Sequence, residues 1–111
     1  MHISEQQIGR VWVVTPRGRL DGATSGTFEL RIHAVITGPD PRLLVDLANV
    51  EFISSVGLRV LLSLVKKVKA AKGALALCAV QAPVREVFDV AGFSGMIDIH
   101  SERATALAVL S

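Results

Sequence analysis

Cys78 is the only cysteine in the chain, which excludes an internal disulfide. It lies in the apolar run "ALALCAV" with no cationic neighbour and no helix start to activate it, so a buried, inert thiol is expected. Long hydrophobic runs are missing too: none approaches the ~18–20 residues that a membrane-spanning helix requires. The opening "MHISEQQIGR" lacks the basic start and apolar centre of a secretory signal, and a soluble cytoplasmic protein is the expectation. Excess charge of one sign is slight. The 12 Lys and Arg stand against 10 Asp and Glu, a net of +2, too little to argue for nucleic acid. Lys66, Lys67, Lys69 and Lys72 do cluster, but a solvated last helical turn complementing the helix dipole explains them better than a patch for a phosphate backbone.

Several chemistries lack their residues. Neither G-x-x-x-x-G-K-[ST] nor G-x-G-x-x-G occurs, so no phosphate-cradling loop of those kinds is written here. Ligand sets of the Cys/His kind are absent, and Asp21 and Asp46 have no clustered acidic partner of the sort a phosphoaspartate receiver needs. Neither a metal nor an organic cofactor is expected.

What is present is a core. Half of the 111 residues are hydrophobic and 20% are charged, which excludes disorder as the main state and gives one domain spanning 1–111. "HISEQQIGRVWVVTPRG" reads as two short strands meeting near Gly9, the second carried by Val11, Trp12, Val13 and Val14. Asp21 is placed to cap a first helix through Phe28, Ile32, Val35 and Ile36, which must end by "TGPDP". "RLLVDL" is a continuous apolar run of the length of a buried central strand. A second helix starts at the serine pair, with Leu58, Leu61, Leu62, Val65 and Val68 as its stripe and Gly73 as its stop. "ALALCAV" is a strand, and Pro83 opens a third helix through Val84, Val87, Phe88 and Val90, closed by Gly92. "MIDIH" reads as a short edge strand, and Ser101 as the cap of a last helix with Glu102 in its first turn. Strand and helix in alternation need crossovers, so the expectation is α/β: a mixed, partly parallel sheet of about five strands covered by about four helices.

The informative stretch is "NVEFISSVGLRVLL", where an apolar segment stops at Ser54 and Ser55 and turns at once into a helix. Three roles are open to the pair. One serine can cap the helix by accepting from a backbone N–H that has no other partner. A nucleophile is the weakest reading, since "FISSVG" is not a G-x-S-x-G elbow and neither His2 nor His33 has an evident acidic orienter. His2 is near the terminus and expected to be mobile, His33 is expected on a helix face, and His100 ends a strand. The third role is modification: a phosphate at an exposed helix start is compatible with the dipole and free N–H groups, leaves the fold intact, and acts on whatever docks there.

The run "LLVDLANVEFISSVGLRVLL" and the element order resemble the STAS domain of bacterial anti-sigma factor antagonists, also called anti-anti-sigma factors. "RGRLDGATS" resembles the segment before the first helix of that family, and "KGALALCAVQAPVREVFDVAGFSGMIDI" its C-terminal half, so the likeness runs almost end to end. It implies a regulatory binding protein, not an enzyme, in a partner switch. The unphosphorylated antagonist binds an anti-sigma factor, usually a serine kinase of the histidine-kinase-like ATPase fold, and releases the sigma factor. Phosphorylation at the start of the second helix breaks that complex, and a PP2C-type phosphatase restores it.

The motif of the family commonly reads Asp-Ser-Ser-Gly, with the first serine modified. Aligned on Gly57, Ser55 matches the modified serine, Ser54 the aspartate and Val56 the second serine, two departures in four positions. Ser55 is the expected phosphoacceptor and cap, with Ser54 the second choice. Asp21 matches an acidic residue that lies beside the modified serine at the partner surface, and its role as a plain N-cap stays open. Arg59 would face outward, free to meet a partner carboxylate or simply water. Asp46, at the end of the central strand near the same rim, ranks lower, a turn-forming bond to "ANV" being its simpler role. A STAS subunit that is never phosphorylated, in a transporter or lipid-trafficking complex, is the alternative to the switch. A small-ligand or nucleotide sensor at the same rim is the lesser one.

Overall fold

Alternation of period two sets the first two strands, β1 (His2–Ile8) and β2 (Val11–Leu20), which pair antiparallel from Ile8↔Val11 to His2↔Arg17. His2, expected to be mobile, is therefore the first residue of a strand. Helix α1 (Ser25–Val35) follows, then β3 (Arg42–Asp46), β4 (Val50–Ile53), helix α2 (Ser55–Ala70), β5 (Ala74–Cys78) and helix α3 (Ala82–Val90). A 3-10 turn (Phe93–Gly95), β6 (Asp98–His100) and helix α4 (Arg103–Leu110) complete the computed structural model, which describes residues 1–111.

The sheet has the order β1-β2-β3-β5-β6, with β3, β5 and β6 parallel to the first half of β2. It has six strands where about five are expected, the additional one being β4. β4 lies inside what reads as a connector, and it pairs parallel with Gly18–Leu20, past an irregularity in β2 between Gly18 and Arg19. Four residues carry too little pattern to announce a strand; β4 exists because β2 runs on beyond β3 and offers it an edge.

The central strand is buried on both faces, as its unbroken apolar run requires. Leu43 and Val45 face a core built with Phe28 and Ile32 of α1, Leu61 and Leu64 of α2, and Val84 and Phe88 of α3. Leu44 faces the other way, with Val11, Val13, Ala76 and Cys78, against Ala106 and Leu110 of α4. Three helices thus cover one face and one covers the other. The T-shaped contact between Phe88 and Phe93, centroids 4.9 Å apart, ties α3 to the turn after it.

Two helix starts differ from expectation. Asp21 is not the N-cap of α1. That position is Thr24, and Asp21 instead organises the turn before it, its Oδ1 accepting from the Ala23 N–H (3.0 Å) and the Thr24 N–H (3.3 Å). Ser101 lies outside α4, whose N-cap is Glu102 without a side-chain bond. This helix is held by the next residue. Arg103 donates through Nε to Asp46 Oδ2 (2.9 Å) and through its terminal nitrogen to Thr15 Oγ1 (3.1 Å), fastening α4 to β3 and β2.

Gly73 has a different task from the one its position suggests. The left-handed residue after α2 is Lys72 (φ 60°), and a Cβ on Gly73 would stand 2.2 Å from the Pro41 carbonyl oxygen, so glycine there permits a close approach.

Candidate functional site at the start of α2

The carboxyl ends of β2 and β4 set the site. Leu20 pairs with Ile53, and beyond that pair the Ser54 N–H donates to the Leu20 carbonyl (2.9 Å). This bond holds Ser54 extended (φ −91°, ψ 173°), the backbone of an N-cap, and its Oγ accepts from the Gly57 N–H (3.2 Å). Ser54, not Ser55, is therefore the cap, which corrects the expectation from the sequence. Ser55 is the first residue inside the helix, exposed, with a hydroxyl that makes no bond within the chain. Serine and aspartate are near-equal N-caps, so Ser54 in place of the usual aspartate of the family motif keeps the cap intact.

Gly57 explains how α2 can begin so close to β2. A Cβ there would lie 2.4 Å from the Leu20 carbonyl oxygen and 3.0 Å from both Ile53 Cγ1 and Leu20 Cγ. Val56, by contrast, points out and is 41% exposed. Arg59 is exposed and forms no ion pair. On the other side of Ser54, the loop after β2 carries Asp21 beside Arg19, with Nε of Arg19 3.7 Å from Oδ2 of Asp21. Partial burial opposes ionisation of Asp21, but the N–H groups of Ala23 and Thr24, the Thr24 hydroxyl and Arg19 outweigh it and hold the carboxyl below its ordinary value. It is a carboxylate at neutral pH.

Arg19 also stacks on Phe52 of β4, its guanidinium carbon 4.2 Å from the ring centroid, and Phe52 stays exposed at the surface. Neither residue stands out in the sequence, because both belong to the β2–β4 pairing that no local pattern reveals. The structure thus brings Asp21, Ser54, Ser55, Val56 and Gly57 to one rim, with Arg59 further along α2 and with Arg19 and Phe52 added. Asp46 turns away from it. Its carboxylate is buried on the α4 side, bonded to Arg103 and to the Ala48 N–H (3.0 Å), the turn-forming bond expected of it.

Cys78 also faces α4, fully buried. Burial and then the Asp46 carboxylate push its thiol up to about 11 from 9.0, with Arg103 opposing them. The thiol should therefore resist a disulfide reagent at pH 8 in the native protein and react fully once the chain is unfolded. The unfolded chain loses this proton near 9 and the folded one near 11, so the contribution of the thiol to stability is intact below about pH 9 and falls through pH 9–11. Urea midpoints compared with those of Cys78→Ala across that range measure it.

A mixed sheet with helices on both faces, whose prominent surface feature is a bare helix start carrying a free serine hydroxyl, defines a small α/β module built to present a surface. Residues 2–106 match the family described as the STAS domain, and the chain belongs to the STAS-domain family of anti-sigma factor antagonists. BtrV of Bordetella bronchiseptica, which bears the name anti-sigma factor antagonist, is 30% identical over 97% of this chain and 93% of its own. The anti-sigma F factor antagonist of Paenibacillus polymyxa is 29% identical over 90% of this chain and 86% of its own. Among solved structures, an anti-sigma factor antagonist from Mycobacterium paratuberculosis superposes with a TM-score of 0.88 at 26% identity, covering 98% of this chain and 92% of the other. No helix of this chain is long and apolar enough to cross a membrane.

Proposed function

We propose that this protein is a cytoplasmic anti-sigma factor antagonist that works as a binding partner and kinase substrate, without catalysis of its own. Unphosphorylated, it binds an anti-sigma factor that is also a serine kinase of the histidine-kinase-like ATPase fold and so frees a sigma factor. Phosphate on Ser55 ends that complex, and a PP2C-type phosphatase renews it. The observation that carries this reading is the division of labour in the serine pair. Ser54 is committed to the cap, while Ser55, one residue on, presents a free hydroxyl at a helix end whose unpaired N–H groups and positive dipole favour an anion.

The test is capture of partners from a lysate of the source organism by the immobilised chain, followed by incubation of the captured kinase with magnesium and ATP. The expected result is an ATP-binding kinase-like protein on the wild-type bait and phosphate on Ser55 alone. Phosphate on Ser54 would move the acceptor by one residue. A permanent complex with no phosphate on either serine would replace the switch by a constitutive STAS subunit of a transporter or lipid-trafficking complex.

A further inference from the structure

Helix α3 buries one apolar stripe and leaves part of a second uncovered. Val84 and Phe88 enter the core, whereas Val90, expected from its spacing to belong to the same helix stripe, is 85% exposed, more than any other large apolar side chain in the molecule. Pro83, Val87 and Val90 recur at helical spacing beside that stripe, with Pro83 and Val90 exposed and Val87 half-buried against the edge of the core. They form one wall of an open groove of 410 Å³ whose other wall is Ser55 and Leu58 of α2. A concave apolar surface beside the free Ser55 hydroxyl offers a seat for a single apolar side chain.

Charge indicates which molecule. Glu86 is the only charged residue lining the groove, and its neighbours Arg85 and Asp89 pair with each other (3.4 Å), leaving Glu86 unpaired. An occupant must bring an apolar group for the floor and a cation for Glu86. A second copy of this chain fits poorly, because an isologous contact lays the same face on itself and brings Glu86 towards its twin.

We propose that the groove between α2 and α3 receives an aliphatic or aromatic side chain of the anti-sigma partner, flanked there by a lysine or arginine that meets Glu86. The inference rests on the partner-switch reading and specifies how the switch acts. Ser55 is part of the groove wall, so a phosphate on its hydroxyl stands at the mouth and excludes an apolar side chain directly. No movement of the fold is required.

The experiment measures binding of the purified anti-sigma factor, identified by the capture described above, to the wild type, Ser55→Asp, Val90→Asp and Glu86→Lys by calorimetry. Val90→Asp should weaken binding at least ~30-fold and Glu86→Lys about 10-fold, the scale of a central and a flanking interface residue. Both residues are exposed, so the melting temperatures of these variants should stay near that of the wild type. If Ser55→Asp abolishes binding while Val90→Asp and Glu86→Lys bind within about threefold of the wild type, the partner docks elsewhere and the inference fails while the switch stands. Should Ser55→Asp bind as well as the wild type, the switch itself is wrong and the groove assignment falls with it. A wild-type dimer in sedimentation that Val90→Asp dissociates, with partner binding unchanged, would give the groove to a second copy and overturn the proposal.

Discussion

Ser55→Asp is expected to lower affinity for the anti-sigma partner by about 10²- to 10³-fold without weakening the fold. A partner that docks there with an apolar group would strip water from the new carboxylate, and a charge buried without a counter-charge costs about 3–5 kcal/mol. Within the free protein the same carboxylate is welcome. Ser55 is the first residue of α2, where an acidic side chain meets the positive end of the dipole and gains about 0.3–1 kcal/mol. The melting temperature should therefore hold or rise by a few degrees, read by scanning calorimetry beside the binding titration.

Ser54→Asp is the matched control. It adds the same charge one residue earlier, at the cap, where aspartate and serine are near-equal acceptors for the Gly57 N–H and where the family motif commonly has aspartate. It should keep both stability and binding. Equal loss of binding from the two aspartates would mean that charge anywhere on the rim is enough, and Ser55 would have no special place.

Gly57→Ala carries the second large effect, and it falls on the fold and on binding together. The new methyl would meet the Leu20 carbonyl at 2.4 Å, a backbone atom that cannot turn aside. The start of α2 must move off β2, and with it the Ser54 N–H that donates to the same carbonyl. Overpacking of this kind costs about 1–3 kcal/mol, against which alanine returns at most ~1 kcal/mol of helix propensity. Urea denaturation should show a net loss, and partner binding should weaken because Ser55 and Val56 shift with the helix. Gly26→Ala gives the opposite sign: that glycine lies inside α1 with nothing within 4 Å of its Cβ position, so the substitution should stabilise by up to ~1 kcal/mol. If both glycine variants are equally stable, the close approach at Leu20 does not constrain the site.

Much of the architecture was legible from local pattern. An unbroken run such as "RLLVDL" has one comfortable position, a strand covered on both faces, and β3 occupies it. The stripe of Leu58, Leu61, Val65 and Val68 on α2, Pro83 in the first turn of α3 and Gly92 just beyond its end were readable for the same reason. Each depends on residues within a few positions of one another. The serine pair was visible as a helix start in that way too, since an apolar period of 3.6 begins just after it.

Tertiary structure decided what those short-range rules leave open. Which serine caps α2 depends on the extended backbone of Ser54, and that is fixed by its bond to Leu20, a residue remote in sequence. β4 needed an edge that only the overrun of β2 supplies, and with β4 came the Arg19–Phe52 stack beside the site. Asp46 turned from the rim because Arg103 of α4 waits on the other face. Val90 has the spacing of a core residue and yet faces water, because periodicity gives the angle between side chains on a helix but not which faces the rest of the chain will cover. Local sequence determined the elements and their likeness to a family; long-range contacts determined which hydroxyl is free and which apolar face is left bare.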